Sequence, residues 1–252
     1  MSTCSRAQGF GLNMNPLYAA AGQKGHTGVD DTCGYGSKIY SLKEGTVYKI
    51  IDDKHPANDG SGYWGIFILC QEPDGRWIEW QIGHCSKIYV KVGDKVKPWD
   101  FIGEEGNRGG VYYGGIRITK AMQDAGDKRG SHRHYNKKFL KPLTEAERDV
   151  FRGAMLTDYS NQFPPIIHTD EQGRVYGVVD TYNGYNGSVD CAKDIDDGRK
   201  LVDAHFAKPE VVATTTPETI ALEREKLQLG LIKQILDAIQ AWLTSWAKGN
   251  RT

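Results

Sequence analysis

Short runs of alternating apolar and polar residues fill the first 140 positions, a pattern typical of β-strands. The runs are rich in β-branched and aromatic residues and lie at residues 38–40, 45–51, 63–70 and 77–84. Turn-forming residues separate them, including Pro73-Asp74-Gly75 between the last two runs. Because such a tripeptide between two apolar runs is a hairpin signal, we expect an antiparallel sheet with His84 at a strand end.

The pattern changes after Pro142. Thr144 and Glu147 have the spacing of a helix-capping box, and apolar residues follow at helical spacing from Val150 to Met155. A short amphipathic helix is therefore predicted to cover the sheet. Further along, the pattern predicts a strand pair, residues 166–168 with 175–179, and then a helix near Gly198.

The C-terminal part of the chain has helical periodicity. From residue 218 to 248 no proline occurs, and apolar residues recur every three or four positions, at Leu227, Leu231, Ile235, Ile239, Trp242 and Trp246. Such a stripe has to be buried against something. Docking on this chain's own domain, self-association and docking on a larger assembly are all open, and the mixed charges of the polar side disfavour a membrane surface.

These patterns divide the 252 residues into four parts. We predict a β domain at 1–142, an extension of unassigned role at 143–210, a linker at 211–217 and an amphipathic helix at 218–252. The predicted fold class is mainly β, an antiparallel sheet core with an α/β extension and a C-terminal amphipathic helix.

Charge and cysteine usage exclude several classes of protein. The 32 acidic and 32 basic residues cancel, so no overall field attracts nucleic acid or anionic lipid. No apolar run reaches the roughly 18 residues of a membrane span, and the first ten residues lack the pattern of a signal peptide. The five cysteines are odd in number and form no Cys-x-x-Cys pair, which predicts neither a full disulfide framework nor a zinc knuckle.

The candidate chemistry lies in three histidine-containing motifs. They are His26-x-x-x-Asp30, the isolated His84, and His132-x-His134. A catalytic zinc site keeps three protein ligands from imidazole and carboxylate groups and leaves one position open. Residues two apart on a strand face the same side, so His132 and His134 can reach one pocket.

The order of these motifs resembles that of lysostaphin-type zinc endopeptidases, which cut peptide bonds in bacterial peptidoglycan. His-x-x-x-Asp is followed by Gly-His-x-Ser at residues 83–86, Val-Gly-Asp-x-Val at 92–96, Gly-Asn at 106–107 and His-x-His at 132–134. The resemblance covers roughly the first 140 residues. The ordered combination is specific where each single motif is not.

Carried over by position, the resemblance implies roles for five residues. His26, Asp30 and His134 become ligands of Zn2+, and His132 and His84 become the catalytic pair. The implied reaction is hydrolysis of stem peptides or cross-links of peptidoglycan through a metal-activated water. One imidazole would then transfer the water proton and the other would donate to the oxyanion, in an order that the sequence leaves open.

The chain departs from the family pattern around these motifs. The histidine pair lies in an unusual sequence, residues 130–136, and Ile82 replaces an aromatic residue. The connection from Asn107 to His132 is longer than usual, so substrate preference is the least transferable property. Tyr18, Tyr112 and Tyr113 are interpreted as groove or surface residues in preference to transition-state donors.

Two other functions stay open at this point. The first is a non-catalytic structural or virion protein that keeps the peptidase fold, and the second is a zinc peptidase with a protein substrate. The missing signal-peptide pattern leads us to expect a bacteriophage endolysin or tail-associated enzyme. It would be found on the virion or in the host cytoplasm before lysis, and its C-terminal helix could contact itself or a virion partner.

Overall fold

The fold is known here from a computed structural model. It describes residues 4–12, 23–55, 63–148, 168–169, 174–179, 183, 185 and 187–207. The chain divides after Ala207 into two units, and all described residues belong to the first. The predicted linker at 211–217, the helix at 218–252 and the helical positions 150–155 lie outside the described residues.

The described residues contain fifteen strands, two whole helices and, at 145–148, the first residues of another helix. The first eight strands are β1 (Ser5–Gln8), β2 (Val29–Thr32), β3 (Lys38–Tyr40), β4 (Gly45–Ile51), β5 (Gly65–Gln71), β6 (Trp77–Gly83), β7 (Cys85–Ile88) and β8 (Lys95–Val96). The others are β9 (Phe101–Glu105), β10 (Val111–Tyr113), β11 (Ile116–Ile118), β12 (Arg133–Pro142), β13 (His168–Thr169), β14 (Val175–Val178) and β15 (Ser188–Val189). The helices are α1 (Lys120–Asp124) and α2 (Ala192–Ala207).

A ten-stranded antiparallel sheet organises the molecule. Its main path is β1-β2-β12-β6-β5-β4-β8, and β14 and β15 also pair with β12. A three-stranded sheet, β3-β9-β7, and the hairpin β10-β11 complete the β-structure of the described part. The ten-residue strand β12 has β6 on one side and β2, β15 and β14 in succession on the other.

The core lies on both faces of the central strands. β5 is buried over six consecutive residues, which is the pattern of a strand covered on both sides. Fully buried Ile66, Ile68, Ile78 and Trp80 belong to one cluster that also contains Ile195 of α2. The apolar faces of β5 and β6 therefore hold α2 and the main sheet together.

The strand predictions are largely confirmed. β3 and β4 have the predicted bounds, while β5 and β6 differ by one or two residues at their ends. Gln71 pairs with Trp77 across the predicted Pro73-Asp74-Gly75 turn. Of the predicted pairing of 166–168 with 175–179, residues 166 and 167 lie outside the described residues, and β13 (His168–Thr169) pairs with β14. The mainly β fold class is confirmed.

Both predicted helix starts on described residues have side-chain caps. The Thr144 and Glu147 side chains each bond to the other residue's backbone N–H, the geometry of a capping box. The helix expected near Gly198 is α2, and it begins at Ala192, whose N–H donates to Asp190 Oδ1.

A partly buried group of four charges attaches α2 to the sheet. Lys137 of β12 lies 2.9 Å from Glu72 Oε1 and 3.1 Å from both oxygens of Asp194. Lys43 contacts the same two carboxylates at 3.0 and 2.5 Å. Burial alone would raise the pKa of Asp194, but Lys137 and Lys43 hold it below its usual value.

One disulfide, Cys4–Cys33, was not foreseen from the cysteine count. It follows from the pairing of β1 with β2, since Ser5 lies opposite Thr32 and the next residues outward are the two cysteines. Cys85 is a buried thiol as predicted, and burial raises its pKa to about 12. None of the helices in the described residues is long and apolar enough to span a membrane.

Candidate active site and metal centre

Strand pairing brings together all five residues singled out from the sequence. Asp30 of β2 lies directly opposite His134 of β12, and His134 lies opposite Gly83, the last residue of β6. His84 follows Gly83 with a left-handed backbone, at a φ of 63°. His132 lies just before β12 and is bridged to Gly106.

His26, Asp30 and His134, called the donor triad below, converge on one point. His26 Nε2 lies 3.2 Å from Asp30 Oδ1 and 3.1 Å from His134 Nδ1, and His134 Nδ1 lies 2.9 Å from the same carboxylate oxygen. The ligands of a tetrahedral zinc lie about 3.4 Å from one another, given bonds of about 2.0 to 2.1 Å. In donor type and spacing, the triad therefore fits a zinc ion.

Backbone contacts orient the donor atoms. His26 Nδ1 lies 3.2 Å from the Gly9 carbonyl, which only accepts, so the neutral ring carries its proton on this nitrogen and presents the Nε2 lone pair to the triad. A Cβ on Gly28 would lie 2.3 Å from the Tyr135 carbonyl and 2.7 Å from His134 Nε2. Glycine at this position therefore allows β2 to approach the His134 ring.

The electrostatics of the triad favour an ionised Asp30 carboxylate and a neutral His134 ring. Burial alone would raise the pKa of Asp30, but the neighbouring His134 and His26 side chains hold it well below its usual value. Burial lowers the pKa of His134, although Asp30 opposes the change. A carboxylate and unprotonated imidazoles are the forms that bind zinc.

His84 and His132, called the imidazole pair below, lie beside the triad. Their ring centroids are 4.4 Å apart, and His132 Nε2 lies 3.7 Å from Asp30 Oδ2. His84 Nδ1 is 2.6 Å from the Arg108 carbonyl, and His132 Nδ1 is 2.8 Å from the Gly130 carbonyl.

These contacts define the proton positions of the pair. A carbonyl oxygen has no proton to give, so each Nδ1 must carry a hydrogen and each neutral ring presents a lone pair at Nε2. Burial, together with the neighbouring His132 and His134, lowers the pKa of His84 well below its ordinary value. Each ring can therefore accept a proton at Nε2.

Tyr63 supports His84 from the side. Its ring meets the His84 ring edge to face, with centroids 5.4 Å apart, and Gln81 Nε2 donates to its hydroxyl. A Cβ on Gly83 would lie 2.6 Å from that hydroxyl oxygen, so Tyr63 fills space left by a glycine. The sequence pattern predicts Tyr63 only as the first residue of a strand.

Glu105 is a buried carboxylate behind the site that the sequence reasoning missed. It accepts hydrogen bonds from the backbone N–H groups of Cys33 and Gly34, just after β2. It also accepts from Ser131 Oγ and lies 3.0 Å from Arg133 Nε. The unusual residues on either side of His132 are therefore partners of Glu105, although nothing in the sequence distinguishes Glu105 from Glu104.

The long connection, residues 108–131, forms a wall beside the imidazole pair. It contains β10, β11 and α1, and Tyr112 and Tyr113 are exposed on it. Asn107 Nδ2 donates to the Asp127 and Arg129 carbonyls and closes the base of this segment. Tyr18 lies outside the described residues.

Comparisons with a family model and with a curated protein show similarity in the region of the site. The model of peptidase family M23 matches residues 24–132, which include four of the five predicted site residues and end two positions before His134. The glycyl-glycine endopeptidase ALE-1 of Staphylococcus capitis is 32% identical over 102 residues, which are 40% of this chain and 25% of that protein. The chain therefore covers about a quarter of the length of this relative.

Solved structures show similarity at lower identity. The catalytic domain of a mutant prophage-encoded M23 protein, EnpA from Enterococcus faecalis, is 23% identical with a TM-score of 0.38, covering 55% of this chain and 83% of that one. The lysostaphin catalytic domain of Staphylococcus simulans is 22% identical with a TM-score of 0.37, covering 57% and 85%. The family model covers the region of the site: residues 24–132 of this chain are similar to peptidase family M23.

Proposed function

We propose that this chain is a zinc-dependent endopeptidase that hydrolyses stem-peptide or cross-link amides of bacterial peptidoglycan. The convergence of His26 Nε2, Asp30 Oδ1 and His134 Nδ1 within 3.2 Å of one another carries the proposal. Two imidazoles and one carboxylate are a known ligand set of catalytic zinc. The relative described as a glycyl-glycine endopeptidase supports a peptide substrate.

The roles of the residues follow from their positions. Zinc held by the triad would supply an acidified water and polarise the scissile carbonyl. His132 is proposed as the proton acceptor, because its Nε2 lies 3.7 Å from Asp30 Oδ2 and is therefore next to the ligand cluster. The same nitrogen then returns the proton to the leaving amine.

His84 is proposed to act on the carbonyl oxygen. Its Nδ1 proton is held by the Arg108 carbonyl, so Nε2 donates only after it has received a proton. The imidazole pair therefore needs one proton between its two rings to stabilise the developing oxyanion. Replacing either ring should abolish this proton sharing and leave the triad in place.

We also propose that the enzyme comes from a bacteriophage and that residues 218–252 attach it to a partner or to a second copy. The support is the apolar stripe from Leu227 to Trp246, which requires a covering surface. Finding the chain in purified particles would favour a tail-associated enzyme. If the chain is absent from purified particles, a free endolysin is favoured.

The test of the activity uses purified sacculi. We expect the zinc-loaded protein to reduce their turbidity and the His132→Ala variant to leave it unchanged, while mass spectrometry of the released amines identifies the bond. A glycine-rich protein offered in parallel separates a wall substrate from a protein substrate. If the zinc-loaded protein cleaves no wall chemotype, the alternative of a non-catalytic structural protein with the peptidase fold replaces the enzymatic function.

A further inference from the structure

The short helix α1 inserts a buried amide beside the imidazole pair. Gln123 is 6% exposed, and its Nε2 lies 2.6 Å from the Asn107 carbonyl, 2.9 Å from the Gly109 carbonyl and 3.2 Å from that of Ile118. The first two of these carbonyls flank Arg108 in the chain. Gln123 thus binds the backbone on both sides of Arg108.

Arg108 supplies the acceptor that holds His84. Its carbonyl oxygen is 2.6 Å from His84 Nδ1. Its guanidinium is held by the same helix, since Nη1 lies 2.5 Å from Asp124 Oδ1. Helix α1 therefore contacts the Arg108 side chain and the two peptide groups on either side of the Arg108–Gly109 peptide, which carries the Arg108 carbonyl.

The backbone here has no strand ladder to fix it. The main-chain pairing of this segment ends with the bridge between Gly106 and His132, and residues 107–110 are irregular. In a strand, the ladder would dictate where each carbonyl points. In residues 107–110 the contacts are of other kinds: the Val111 N–H lies 3.1 Å from the Gly109 carbonyl, and Gln123 Nε2 donates to the carbonyls of both Asn107 and Gly109.

We propose that Gln123 is a positioning residue for His84, acting through the Arg108 carbonyl. By binding the Asn107 and Gly109 carbonyls it fixes the peptide plane from which Arg108 O accepts the Nδ1 proton of His84. That bond sets the tautomer of the ring and leaves its Nε2 facing the site. The catalytic consequence rests on the proposed peptidase function, whereas the positioning itself does not.

The first arm of the test measures the tautomer in the zinc-free protein. Nitrogen-15 NMR of the histidine rings should show His84 with its proton on Nδ1 in the wild type. Gln123→Met removes the donors at similar length and should transfer a large part of the population to the Nε2–H form. Ala121→Gln, a change at an exposed position of the same helix, should leave the wild-type spectrum of His84 unchanged.

Two results of this arm would overturn the proposal. One is a wild-type His84 protonated on Nε2, which needs no variant. The other is an unchanged His84 tautomer in folded Gln123→Met. Gln123→Glu is a second variant of the same shape, in which a carboxylate faces the carbonyls, and it should change the tautomer in the same direction.

The second arm measures peptide hydrolysis and zinc content. Gln123→Met should lower kcat about ten- to hundredfold, with KM and bound zinc as in the wild type. In a His84→Ala background the same change should have no further effect, because the residue through which it acts is missing. Equal losses in both backgrounds would contradict the assignment. A wild type without peptidase activity would refute the proposed function and leave the tautomer result to decide the positioning.

Discussion

The donor triad and the imidazole pair are held by different kinds of structure. Asp30 and His134 lie on the paired strands β2 and β12, where ladder register places them opposite each other. His84 and His132 lie outside the strands and are oriented by the Arg108 and Gly130 carbonyls, at the two ends of the 108–131 segment. Two of the three proposed zinc ligands are thus fixed by the sheet, while the two proposed proton-transfer residues depend on a loop.

This difference indicates which property of the site can vary. A change in the 108–131 segment can alter the imidazole pair and the groove wall without disturbing the triad. Changes in β2 or β12 affect the triad first. Substrate preference and turnover should therefore be more variable among related enzymes than zinc binding.

Glu105 connects both halves, and its loss should have the largest effect on stability. Glu105→Gln leaves the buried Arg133 without its counter-charge while Cys33 and Gly34 lose a charged acceptor. Breaking a buried ion pair costs about 3 to 5 kcal/mol, so we expect a loss of that order in the free energy of unfolding, measured in urea.

The neighbouring Glu104 provides the matched control for this change. It pairs with Lys87, whose side chain is 60% exposed, so Glu104→Gln should change the urea midpoint far less. Similar losses of stability in the two variants would show that the Glu105 ion pair contributes no more than a surface ion pair.

Gly28→Ala should affect zinc binding by the triad without affecting the imidazole pair. The added Cβ would lie 2.3 Å from the Tyr135 carbonyl and push β2 away from the His134 ring. We expect zinc affinity to fall about ten- to hundredfold in competition with a chelator, since the orientation of a ligand is disturbed. The tautomer of His84 should stay as in the wild type.

Gly110→Ala is the control for Gly28→Ala, because a Cβ at residue 110 meets nothing within 4 Å. It should bind zinc as the wild type does. Unchanged zinc affinity in Gly28→Ala would contradict the close packing of β2 against His134.

The smallest predicted effect concerns the contact of α2 with the sheet, which involves neither the triad nor the imidazole pair. Lys137 and Lys43 hold the pKa of Asp194 below its usual value. The lowered pKa means that its ion pairs stabilise the fold above the unfolded pKa of about 3.9 and are lost as the pH falls through the folded pKa. The urea midpoints of wild type and Asp194→Asn should therefore show their largest difference at pH 6. The difference should begin to shrink below about pH 4.

The control for the pH experiment is Asp197→Asn, an exposed position on the same helix that pairs with Lys193 and Lys200. Its midpoint should stay near that of the wild type at both pH values. A constant difference for Asp194→Asn across the pH range would contradict the stabilising role of its ionised form.

The sequence predicted the strand-borne half of the site well because strand periodicity is local. The bounds of β3 and β4, the turn at 73–75 and the position of His84 after a strand all follow from neighbouring residues. The grouping of His26, Asp30 and His134 came from motif order and a family resemblance, and their roles as ligands stay predictions.

The loop-borne half could not be predicted in the same way. Glu105 and Gln123 act through hydrogen bonds to backbone groups far away in sequence, and such contacts leave no periodic signal. The Cys4–Cys33 disulfide was missed for a related reason: β1 is short and polar, so its pairing with β2 was not evident. Long-range contacts of irregular backbone are where a single sequence says least.

We propose that the donor triad binds zinc and that the imidazole pair does not. The direct measurement is the zinc content of purified His134→Ala and His132→Ala by elemental analysis, with both variants shown to be folded. We expect less than a tenth of the wild-type zinc in His134→Ala, roughly a full equivalent in His132→Ala, and no hydrolysis of sacculi by either. Full zinc occupancy in His134→Ala, or loss of zinc in His132→Ala, would contradict this proposal.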